Sequence, residues 1–222
     1  MNIIDRKINL IFLVLLNGYA VFSVLYLDAS MFFIIYLFWF DEVIRSVSNY
    51  IQIKMYKEDT RIPPQFTKYQ ALNNVKSQFL FLFIYAVFII IVFGIFFFIN
   101  SKDDVVTNIR IFVFHNLSFN VCIMISLIRE FFKIRARYVD RLSSIRAFNA
   151  MNGHMATLHL SVIFGGLAWA ITAVGFEGYR LDLGEYNKYA VAIPFFVIKF
   201  LVDLHEINHA DEHKKNVLEN LH

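Results

Sequence analysis

Six apolar stretches of membrane-crossing length constrain this chain more than any other feature. They run from Asn9 to Leu27, Met31 to Tyr50, Phe79 to Ile99, Val105 to Phe131, Ala156 to Phe176 and Tyr189 to His209. About 20 apolar residues span the hydrocarbon layer as a helix, and a helix satisfies its own backbone polar groups where no water can. The composition fits that solvent. Hydrophobic residues make up 58% of the 222, with 26 Phe among them, against roughly half in soluble domains. The expected fold is therefore all-α, a polytopic membrane helix bundle with six transmembrane helices in one domain over residues 1–222. The first stretch is too long for a signal-peptide core and lacks a small-residue cleavage site, so it reads as retained.

Basic residues alternate between the two sides of these stretches. Arg6 and Lys7, then Arg45, Lys54, Lys57, Arg61, Lys68 and Lys76, then the run from Arg129 to Arg146, and finally Lys214 and Lys215 fall on one side. The opposite loops hold Lys102, Arg180 and Lys188 among the acids Asp28, Asp103, Asp104, Glu177, Asp182 and Glu185. The positive-inside rule then puts both termini in the cytoplasm. With the basic residues explained by topology, the formal charge of +3 gives no reason to expect a nucleic-acid partner. The single cysteine, Cys122, can form no internal disulfide and reads as a small packing residue.

Residues 51–77 read as a cytoplasmic connector and residues 210–222 as a cytoplasmic tail. Pro63 and Pro64 interrupt any helix running through the connector, and a short interfacial helix is expected over Tyr69–Asn74.

Polar residues within the spans carry whatever chemistry exists, because ionisable groups at that depth are expensive. In the second stretch Asp41 and Arg45 are four apart and can pair along one helix face, whereas Glu42 lies on another face and needs a partner elsewhere. The competing reading makes Asp41 and Glu42 the wet start of the interface. The fourth stretch holds His115, Asn116, Ser118 and Asn120, which would line neighbouring faces of one continuous helix. The fifth holds His159. In the sixth, Lys199 and Asp203 can neutralise each other, Pro194 should kink the helix above them, and Glu206, His209 and His213 follow toward the end.

The spacing Glu206-x-x-His209 is one that di-iron helical bundles use, and His205, His209 and His213 recur at helical-turn spacing suited to zinc. His159, Asp203, Glu206 and His209 are accordingly the expected metal ligands, with Asp41, Glu42, His115 and Lys199 as catalytic candidates. A divalent metal, zinc or iron, would be the cofactor.

The stretches 38–47 (FWFDEVIRSV), 115–120 (HNLSFN), 158–166 (LHLSVIFGG) and 198–213 (IKFLVDLHEINHADEH) resemble, in order and spacing, the blocks of a bacterial integral membrane family known only as domain-of-unknown-function family 6498. The resemblance covers nearly the whole chain and implies a multi-pass protein of the bacterial inner membrane. It departs from the family pattern where Asn116 follows His115 in place of a glycine, and where Asp41 and Glu42 both stand near Trp39, which leaves open which acid is the equivalent one.

Three functional readings follow from these residues. In the first, the His and acid cluster binds a metal that activates water to hydrolyse a lipid or membrane-embedded substrate, an arrangement loosely similar to seven-helix ceramidase-like zinc hydrolases. In the second, the same groups form the path of a proton- or ion-coupled transporter. In the third, they lock the helices of a structural or accessory subunit. The lipid bilayer is the expected partner, and Phe-rich faces suit lipid contact and homo-oligomerisation alike.

Overall fold

A computed structural model describes residues 3–27, 29–55, 68–95, 102–139, 156, 158–160, 163–164 and 196–205. Apart from short turns these residues are helical, and no strand occurs among them. The elements are α1 (Ile3–Tyr26), α2 (Met31–Met55), α3 (Lys68–Phe88), α4 (Lys102–Phe112) and α5 (Leu117–Val139). α3 continues through Ile89–Ile95 as a π-helical turn, and residues 196–205 form a further helical segment.

Three of the helical stretches, Lys7–Tyr26, Lys68–Ile91 and Val105–Arg135, are long and apolar enough to cross a membrane. α2 carries Asp41, Glu42 and Arg45, and it is the centre of the bundle. It packs against α3, α4 and α5, and α1 packs on α5. Every residue from Phe32 to Phe38 is buried, so the upper part of α2 is enclosed all round. An aromatic cluster fills the space beside it. Tyr36 stacks on Phe119 of α5 with ring centroids 5.2 Å apart and on Trp39 at 5.4 Å, and Phe33 meets Phe119 edge-on. The Trp39 indole N–H, which a buried indole must place, donates to the Leu82 carbonyl of α3 at 2.7 Å.

The direction of three elements follows from paired positions. Along α2, Phe33 and Tyr36 meet Phe119 while Asp41 meets Ser126 and Arg129, so α5 runs parallel to α2. Phe38, Asp41 and Arg45 meet Phe196, Lys199 and Asp203 in turn, so residues 196–205 run parallel as well.

Helix boundaries depart from the sequence expectation in three places. α2 continues to Met55 and α3 begins at Lys68, so both ends of the expected 51–77 connector are helical. The interfacial helix expected over Tyr69–Asn74 is the first part of α3, because no glycine or proline between Lys68 and Phe88 interrupts it. The third departure is larger. The expected fourth span, Val105 to Phe131, is two helices separated at Val113–Asn116.

Local chemistry explains that break. Phe114 takes a left-handed backbone conformation with φ 61°. The His115 N–H reaches the Arg110 carbonyl at 2.7 Å and the Phe114 N–H reaches Ile111 at 3.1 Å, the paired bonds of a Schellman helix terminus. Asn116 then caps α5, its Oδ1 accepting the Phe119 N–H at 2.9 Å. The Asn120 side chain donates to the Phe114 carbonyl. Ser30 caps α2 through the Phe33 N–H and donates to Asn108 of α4 at 2.9 Å. The kink expected at Pro194 lies outside the described residues.

Candidate functional site

Four alternating charges close a ring in the interior. Asp41 accepts from Arg45 Nε at 3.2 Å on its own helix. Arg45 Nη2 donates to Asp203 Oδ1 at 2.7 Å, Lys199 Nζ donates to Asp203 Oδ2 at 3.1 Å, and the same Nζ donates to Asp41 Oδ2 at 2.8 Å. Each helix supplies one acid and one base four residues apart, in opposite order, so every side of the ring joins unlike charges. The ring is dry. Asp41 is 1% exposed, Asp203 3%, Arg45 and Lys199 6% each. Glu42, on the same turn of α2, is buried too. The wet-interface reading of Asp41 and Glu42 is thereby replaced, because both side chains are buried.

α5 extends the ring. Ser126 Oγ donates to Asp41 Oδ1, and Arg129 Nη2 donates to the same oxygen at 2.8 Å. Arg129 Nε also reaches Glu130 Oε1 at 3.1 Å, and Lys133 Nζ lies 3.2 Å from that oxygen. Asp41 is therefore the hub, taking Ser126 and Arg129 on one oxygen and Arg45 and Lys199 on the other. Above the ring the Lys199 ammonium lies 5.3 Å from the centre of the Phe38 ring, within reach of a cation–π attraction.

The expected pairings Asp41–Arg45 and Lys199–Asp203 both form. Of the catalytic candidates, Asp41 and Lys199 meet in the ring and Glu42 lies beside it in the chain. His115 goes elsewhere. It is exposed at the α4–α5 break, where its Nδ1 lies 3.1 Å from the Val113 carbonyl. The faces drawn for His115, Ser118 and Asn116 assumed one unbroken helix, and the Schellman terminus removes that assumption.

Of the expected metal ligands, Asp203 belongs to the ring. His159 is exposed, and its Nδ1 lies 2.6 Å from the Tyr85 hydroxyl of α3. Glu206 and His209 lie outside the described residues. Among the described residues no three His, Cys, Asp or Glu side chains group to hold a metal. Both Asp203 oxygens already accept from cations, and a divalent ion placed there would face Lys199 and Arg45 at short range in a medium that screens little. The described part of the donor set therefore does not fit a divalent metal.

Sequence reasoning passed over Arg129, Glu130 and Ser126. Arg129 was counted with the topological basic run, yet it is 3% exposed. A signal existed in the sequence, since Ser126, Arg129, Glu130 and Lys133 recur at helical spacing on α5, where successive neighbours on a face are three or four residues apart.

No curated protein and no solved structure matches this chain. Residues 1–220 match the model of the family of unknown function DUF6498, the family that the ordered blocks of the sequence resemble, and with all but its last two residues covered the chain belongs to that family.

Proposed function

We propose that this is an integral membrane protein of six spans with both termini in the cytoplasm, and that its buried charge ring is the coupling element of a proton- or ion-coupled transporter. The observation that carries the reading is the Lys199 ammonium held between Asp41 and Asp203, each on a different helical element, in a dry interior. Six spans with cytoplasmic ends require the second, fourth and sixth to run the same way, and the parallel course of α2, α5 and residues 196–205 supports that. Large apolar side chains such as Val14, Leu15, Phe83, Ile84, Met124 and Phe131 face outward, the surface a bilayer solvates.

Two features favour coupling over metal-dependent hydrolysis. The carboxylates of the ring are engaged by cations that would oppose a divalent metal. The α4–α5 break also packs on the helix that carries Asp41 and Arg45, with Phe114 on Phe40 of α2 at 5.3 Å. Discontinuous helices next to buried charges are how many transporters build ion sites. A purely adhesive role would be met as well by apolar packing, which is often no less stable than a buried ion pair.

A structural reading has one observation in its favour. Asp41, Asp203, Glu42 and Glu130 are matched in number by Arg45, Arg129, Lys199 and Lys133, which suits a permanent lock. Purified protein in proteoliposomes on a solid-supported membrane separates the two. The transporter reading expects transient charge movement after a pH or cation jump, lost in Asp203→Asn. Folded wild-type protein that moves no charge under any such jump leaves the structural reading.

A further inference from the structure

We infer that the position of the Lys199 ammonium is a seat for a small monovalent cation, with Lys199 as its tethered occupant. The inference rests on the transporter reading and names the class of ion that the ring would exchange. Three groups of different chemistry converge on one point. Asp41 Oδ2 lies 2.8 Å from Nζ, Asp203 Oδ2 lies 3.1 Å away, and the Phe38 ring centre is 5.3 Å off. Two carboxylate oxygens and an aromatic face each attract a singly charged ion that has lost part of its water. A single positive charge at that point completes the alternation of the ring, because Arg45 shares Asp41 Oδ2 and takes Asp203 Oδ1, while Ser126 and Arg129 occupy Asp41 Oδ1. A divalent ion would overfill it.

A monovalent cation enters from solution and binds the two Oδ2 atoms. The Lys199 ammonium gives one proton to solvent and becomes a neutral amine, so the interior keeps its net charge and one cation replaces one proton. Among the described residues, the charged groups bearing on Nζ are Asp41 and Arg45 from α2, Arg129 with its partner Glu130 from α5, and Asp203 on its own segment, with Ser126 donating to Asp41.

Two measurements test this on the full-length protein in detergent. In Lys199→Ala the seat loses its occupant, so exchanging choline chloride for sodium, potassium or ammonium chloride is expected to raise the melting temperature by roughly 2–4 °C, and the added Asp203→Asn change should abolish that difference. If Lys199→Ala does not fold, the wild type supplies the second measurement. Adding an alkali cation to weakly buffered protein should release one proton per chain, whereas choline should release none and Asp203→Asn none with either. A monodisperse Lys199→Ala variant with the same melting temperature in every chloride, or a wild type that releases no proton, overturns the seat. Charge movement in proteoliposomes without any cation preference sinks the seat and leaves the transporter reading standing. Cation-selective stabilisation without charge movement does the reverse.

Discussion

Asp41 and Lys199 pair across 158 positions of the chain, and Arg45 and Asp203 pair across the same 158. Equal offsets mean that α2 and the 196–205 helix run parallel with no stagger. The order acid-then-base on α2 is answered by base-then-acid on its neighbour, so a slip of one turn would oppose like charges or strand a group. The ring thus fixes register as well as holding the helices together, which is the best-attested use of buried polar groups.

Asp41 and Asp203 have unequal duties, and their neutral variants should differ. Asp41→Asn leaves Arg45, Arg129 and Lys199 facing an uncharged amide, and breaking a buried pair from one side costs roughly 3–5 kcal/mol. Asp203→Asn leaves Arg45 and Lys199, its described cationic partners, short of a charge and should cost less. Thermal unfolding of the two purified variants in the same detergent checks the order. Equal losses would mean that Asp41 is not the hub.

Removing a charge and its partner together should hurt less than removing the charge alone. Lys199→Met strands part of Asp41 and Asp203, whereas Lys199→Met with Asp203→Asn keeps Asp41 paired with Arg45 and Arg129. The double variant is expected to be more stable than the sum of the two single losses by roughly 0.5–3 kcal/mol. Strict additivity would show that the closed ring has no energetic identity.

Much of this was legible in the sequence, and the illegible parts share a cause. The helical class and the pairs Asp41–Arg45 and Lys199–Asp203 follow from apolar run length and from spacing within one helix. What spacing cannot give is the partner on another helix. The spacing of Ser126, Arg129, Glu130 and Lys133 marks a polar face on α5, but it does not name Asp41 as the partner of Arg129, which turns inward while Arg135, six residues on, stays exposed. The break at Phe114 was hidden for a different reason. A left-handed helix terminus is normally announced by glycine or asparagine, and here the residue with φ 61° is a phenylalanine, so an apolar pattern runs through the break unmarked.

Arg129 and Arg135 provide a direct contrast on α5. Arg129→Gln removes a donor from Asp41 and from Glu130 and should cost roughly 3–5 kcal/mol as a broken buried pair. Arg135→Gln is expected to stay within about 0.5 kcal/mol, as surface changes do. Unfolding midpoints of both variants decide the matter. If Arg129 serves orientation alone, the two will be alike.

The stretch HNLSFN separates capping from chemistry at adjacent positions. Asn116 holds the first turn of α5 through the Phe119 N–H, so Asn116→Ala should lose about 1 kcal/mol, and Asn116→Ser should recover most of it because a hydroxyl can accept the same bond. His115→Ala should leave stability within about 0.5 kcal/mol, since the imidazole is exposed and its described bond is to Val113 nearby in the chain. Charge movement in proteoliposomes should survive His115→Ala, because the described bonds of the ring do not include His115. A His115→Ala variant that unfolds as early as Asn116→Ala, or that abolishes charge movement while folded, would place the histidine in the working site after all and make the break part of it.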